Sequence, residues 1–131
     1  MSENENYTLK NLDEVDDMAA QHGMSDMGEA RFANGELETE QTGISFHRLN
    51  PNARQGFGHQ HETAEEVYVV TKGSGRVKID DEVIELSTLD AVRIAPEAIR
   101  AFEGGSDGLE MLAFGPLAKG DEEIIPGWWS D

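Results

Sequence analysis

His59 and His61 stand two residues apart, and Glu66 follows five residues after the second of them. In an extended strand alternate side chains share a face, so the two imidazoles lie side by side with α-carbons roughly 6.5–7 Å apart. Neutral imidazole nitrogens carry lone pairs, and a single cation can take both. The step to Glu66 is odd, so an unbroken strand sends that carboxylate to the opposite face; a turn at Glu62, Thr63 and Ala64 swings it back beside the histidines. Two imidazoles and one carboxylate suit Fe(II), Mn(II) or Zn(II) and leave positions open for water or substrate. Tyr68 shares strand parity with Glu66 and is expected next to it.

The wider string, GHQHETAEEVYVVTKGSG over residues 58–75, places this trio between strand-like runs and ahead of a glycine pair. A second string, DAVRIAPEAIRAFEG over residues 90–104, runs from an apolar strand through Pro96 to Phe102. Together they resemble the two signatures of the cupin superfamily, over about residues 41–116. The resemblance implies an all-β, antiparallel jelly-roll barrel with its site in the mouth, holding a divalent Fe, Mn, Ni or Zn ion on His59, His61 and Glu66. It departs at two positions. Arg100 stands where a histidine ligand is expected and Glu97 where glycine is usual, and a guanidinium has no lone pair to give a metal.

Three arrangements follow. In the first, metal sits on His59, His61 and Glu66 while Arg100 grips an anionic ligand through its fork, which would serve oxygenase or isomerase chemistry. In the second, Arg100 pairs with Glu66, no metal binds, and the barrel is a small-molecule binding or sensing module. In the third, His47, or more remotely His22, supplies the missing ligand. We favour metal occupancy, because a purely structural barrel has no need of this ligand geometry. Tyr68, Phe102 and one of Phe46 or His47 are expected to line the mouth with Arg100.

The positioning elements are short and regular. Val67 to Val70 is apolar on both faces and reads as a buried strand. Gly73 to Gly75 is expected to turn the chain, and Val77–Ile79 and Val83–Leu86 form a hairpin about Asp80 and Asp81. A strand from Asp90 to Ala95 stops at Pro96, and 99–103 and 109–114 are expected as two further strands about a 104–108 turn. Residues 1–40 read as a separate lead-in packed on the barrel: a short amphipathic helix over 12–22, capped by Asn11 and Glu14, then a turn at Asn34 and Gly35. Residues 117–131 form a tail whose Trp128 and Trp129 anchor on the barrel or a dimer surface, with Ile124 and Ile125 as natural homodimer residues.

The 131 residues bound one domain. No apolar run is long enough to span a membrane and no signal peptide is apparent, so a cytoplasmic protein is expected. Cysteine is absent, which excludes disulfides and thiolate chemistry. With 27 acids against 10 bases and a net charge of −17, nucleic acid is excluded as a partner, because no basic face exists to displace phosphate counterions. Acidity spread through helix and strands alike repels itself at low ionic strength and points to a salt-rich, halophilic setting.

Overall fold

A computed structural model describes residues 6–118 and 120–129; of the acidic first six residues only Asn6 falls within it. Eight strands form one curled antiparallel sheet: β1 Gly28–Phe32, β2 Thr42–Leu49, β3 Phe57–His61, β4 Glu66–Ile79, β5 Glu82–Leu86, β6 Ala91–Ile94, β7 Arg100–Pro116 and β8 Glu122–Pro126. The path runs β1-β2-β7-β3-β8, and β4 joins β5, β6 and β7. The sheet is an all-β jelly-roll barrel. No helix is long and apolar enough to cross a membrane among the described residues.

β4 and β7 form the spine. They pair from Val67–Phe114 to Ile79–Arg100, and each passes unbroken through its glycine segment. The expected turns at 73–75 and 104–108 are therefore bends, where the ladder shifts register between Val70 and Lys72 and between Gly73 and Gly75. The reason is mutual crowding: a Cβ on Gly73 would lie 2.2 Å from the Gly108 carbonyl oxygen, and one on Gly75 equally close to that of Glu103. Glycine here lets two long strands coil tightly around each other.

The hairpin of β4 and β5 about Asp80 forms as the alternation predicts, with Asp80 at φ 50°. The inward set Leu49, Tyr68, Val70, Val77, Leu86, Ile94, Phe102, Leu109, Met111 and Ala113 makes one continuous core.

The predicted helix over 12–22 is two shorter pieces. A 3-10 turn, Leu12–Glu14, ends at Val15 in extended conformation, and α1 follows at Met18–Gln21. Asn11 caps the first through the Asp13 amide, but Asp17 captures the Ala19 and Ala30 amides and starts a new helix. An aspartate that can cap locally and also bridge to β1 outcompetes continuation of a short helix. Asn34 opens a single helical turn, α2 Asn34–Leu37, closed by Glu38 in the left-handed region, and this joins β1 to β2.

The tail folds back on its own barrel. β8 pairs with β3 over its whole length, Trp129 is 8% exposed, and the Arg54 guanidinium sits 4.4 Å over its ring. Lys78 stacks 4.6 Å over Trp128 and donates to its carbonyl. Gly58 exists for this contact, since a Cβ there would meet the Trp128 ring at 2.6 Å.

Candidate metal centre

β3 presents His59 and His61 on one face, with ring centroids 5.3 Å apart and planes at 90°. The strand ends at His61, whose amide donates to the Pro96 carbonyl at 2.7 Å and so ties the histidine strand to the second motif. The turn at 62–64 is built around Asp121. Its carboxylate accepts from the amides of Glu62, Thr63 and Ala64, and Oδ2 lies 3.4 Å from His61 Nδ1. The chain then re-enters as β4 with Glu66 facing the histidines.

Glu66 Oε1 is crowded. Tyr68 donates its hydroxyl to it at 2.6 Å, His61 Nε2 lies at 3.2 Å, His59 Nε2 at 3.5 Å and Arg100 Nη1 at 3.4 Å. Burial works to raise the carboxyl's pKa, but the His59 ring, the Tyr68 hydroxyl and the His61 charge outweigh it and hold the group at about 2. Tyr68 is pushed the other way, by burial first and then by the Glu66 charge, and stays a phenol.

Arg100 is 0% exposed. Besides Glu66, it donates Nη2 to the Ala95 carbonyl at 2.7 Å, while its Nε has no hydrogen-bond partner. Such a cation needs its counter-ion, and Glu66 is that counter-ion. The fork therefore turns inward, and Arg100 is not part of the cavity wall where an anionic ligand would meet it.

One ligand-capable group among the described residues is His59, His61 and Glu122, whose ligand atoms all lie within 4.8 Å of one another, and Glu66 Oε1 also lies close to both imidazoles. Glu122 sits directly opposite His61 in the β3–β8 register, so the two side chains share a face. Both His61 ring nitrogens are buried and neither makes a hydrogen bond, since Glu66 and Asp121 approach without the alignment a bond requires. Buried nitrogens without a hydrogen bond are costly unless a ligand takes them. The donor set therefore fits a divalent cation.

Glu122 is not among the expected ligands, because the 117–131 tail is expected only to anchor through Trp128 and Trp129. The signal was the run Ile124, Ile125, Pro126, which is an edge strand ended by proline that extends back to the acid. Which strand it would join, and in what register, is a non-local matter.

A cavity of about 260 Å³ opens beside the group. Tyr68, Phe102 and His47 line it and Phe46, on the other face of β2, does not; His22 reaches it from the end of α1. His47 bonds Ser45 at 2.8 Å, and burial, aided by repulsion from His59, pushes its imidazolium down to about 4, so the ring is neutral. A second, more open hollow lies on the far side of Glu66 and Glu122 and also touches His61.

No family model matches the chain. It is 31% identical over 70 residues to an uncharacterised protein of Methanocaldococcus jannaschii, a match spanning 51% of this chain and 56% of that one. A cupin protein from Bacteroides fragilis superposes over 97% of this chain and 98% of its own, with a TM-score of 0.71 and 24% identity. The DMSP lyase DddQ from Ruegeria pomeroyi superposes over 70% of this chain and 47% of its own, with a TM-score of 0.59 and 15% identity. The chain has the jelly-roll fold of the cupin superfamily.

Proposed function

We propose that this barrel binds one divalent metal ion at its mouth and a small organic molecule in the adjoining cavity. The observation that carries the reading is the convergence of His59, His61 and Glu122, with the His61 ring nitrogens buried and making no hydrogen bond. His59 and His61 would hold the ion with Glu122, while Glu66 neutralises Arg100. A bound ion would supply Lewis-acid polarisation to an oxygen atom of the ligand. The chain's own residues then orient and exclude: Tyr68 fixes Glu66, Asp121 fixes the turn beneath His61, and Phe102 backs the Tyr68 ring at 4.7 Å. Similarity to a lyase, together with the open face of the site, supports turnover of oxygenase, isomerase or lyase type over simple storage.

The test separates the two carboxylates. Chelator-stripped protein is titrated with Zn(II), Mn(II) and Ni(II), and with Fe(II) under anaerobic conditions. Glu122→Gln should weaken binding at least tenfold, and Glu66→Gln should retain it. The reverse order would move the ligand role to Glu66, and tight binding in His61→Ala would remove the site altogether.

One observation favours a second reading. The Glu66–Arg100 contact at 3.4 Å is the pair expected of a metal-free barrel, in which His59 and His61 serve as neutral hydrogen-bonding groups. Wild-type protein that binds none of these metals yet is stabilised by a small molecule would support it.

A further inference from the structure

The cavity beside the histidines is lopsided in its chemistry. Its wall is mostly apolar, with Met18, Met24, Met27, Phe57, Phe102 and Met111 among its lining side chains. Thioether side chains are polarizable and repack around irregular shapes, so this wall suits an apolar body without demanding one outline. Among its polar lining groups, Ser45 and His47 form a hydrogen-bonded pair. His47 is neutral, so this pair offers hydrogen bonds without adding charge.

No lysine or arginine lines the cavity among the described residues. Its acids are Glu29, Glu66 and Glu122; Glu29 is paired with Arg31 at 3.0 Å and Arg48 at 2.8 Å, and Glu66 with Arg100. An anion entering the chamber would meet negative carboxylates with no cation to receive it. An amine would find two of the three acids already neutralised. About 260 Å³ equals roughly nine water molecules at about 30 Å³ each, which sets the size of the occupant.

We propose that this chamber receives a neutral molecule of roughly ten non-hydrogen atoms, apolar along its body, with one hydroxyl or carbonyl oxygen directed at Ser45 and His47. The inference rests on the barrel being a small-molecule binder and concerns its metal-free state.

The experiment uses the full chain, dialysed against chelator in high KCl, and follows calorimetric titration and melting with three probes of equal chain length: octan-1-ol, octanoate and octylamine. Octan-1-ol should bind saturably and raise the melting temperature, with the other two at least tenfold weaker. Equal or tighter binding of octanoate or octylamine overturns the neutral class, and no saturable binding of octan-1-ol overturns the chamber.

Met27→Trp, which fills the space, should weaken octan-1-ol at least tenfold while the protein still melts cooperatively; Met24→Trp replaces it if that variant fails to fold. Unchanged affinity in a folded variant overturns the location. His61→Ala separates this proposal from the metal reading. Octan-1-ol binding should persist there while metal is lost; retained metal overturns the ligand assignment, and lost octan-1-ol binding in the folded variant overturns the chamber.

Discussion

At the residue scale the centre turns on a division of labour between two carboxylates. Arg100 is fully buried and Glu66 stands beside it, so removing one partner leaves the other's charge uncompensated in a poorly solvated place. Glu66→Gln should therefore destabilise the fold by about 3–5 kcal/mol, read as a fall in urea midpoint, while Glu66→Gln combined with Arg100→Met should recover most of the loss. Additive losses in the double variant would mean that the pair is not coupled. The histidine pair and the Glu66–Tyr68 contact were legible from strand parity, and the swing of Glu66 from the turn its odd spacing demands, because they are neighbours within one hairpin-like segment. The Glu66–Arg100 pair was one of the arrangements the residues allowed, but the donation of the Arg100 fork to Ala95 was not legible. Parity places a side chain on a face, but burial and the Ala95 carbonyl decide what its donors reach.

At the scale of elements, β3 is held between the barrel and the tail. Gly58→Ala forces a methyl into the Trp128 ring, and overpacking of this kind costs about 1–3 kcal/mol. The variant should melt lower and bind metal more weakly, because β8, which carries Glu122, is displaced together with Trp128. Unaltered melting would mean that the tail is loosely seated.

A second device on this face is Glu103, bridged by Arg54 at 2.7 Å and Arg76 at 2.6 Å. Burial acts to raise its pKa, but the hydrogen bonds and charges of Arg76 and Arg54 prevail and lower it below 4.5. A carboxylate with a depressed folded pKa contributes stability above its unfolded pKa and loses it as pH falls through the folded value. The melting difference between wild type and Glu103→Gln should be largest above the ordinary glutamate pKa and shrink as pH falls below it. A difference constant with pH would deny the ion pairs their role.

Sequence periodicity read the β4–β5 hairpin correctly and missed the continuity of β4 and β7. Glycine clusters signal a turn and a coiled bend with the same letters, and only the partner strand distinguishes them.

At the scale of the molecule, charge is the dominant feature. A net −17 on 131 residues repels itself until salt screens it, and the Debye length falls to about 3 Å at 1 M. The melting temperature should climb steeply with KCl into the molar range; a flat response would remove the case for a salt-rich setting. Ile124 is 46% exposed on β8 and remains available to a second copy of the chain, as the homodimer expectation requires. Deleting 122–131 should lower the association state or solubility and also abolish metal binding, since Glu122 goes with it. Retained metal affinity in a soluble truncated barrel would return the carboxylate role to Glu66. The overall barrel was legible because two local motifs resemble those of a known fold, whereas the contribution of the tail to the mouth depends on pairing between segments some sixty residues apart in sequence, such as His61 with Glu122.

The most direct measurement is the metal content of untagged protein purified in high salt without chelator, by elemental analysis. About one equivalent of Fe, Mn, Ni or Zn per chain is expected, lost in His61→Ala while the barrel still melts cooperatively. Less than about a tenth of an equivalent, unchanged after metal is added back, would contradict it and leave the Glu66–Arg100 barrel as a metal-free binder.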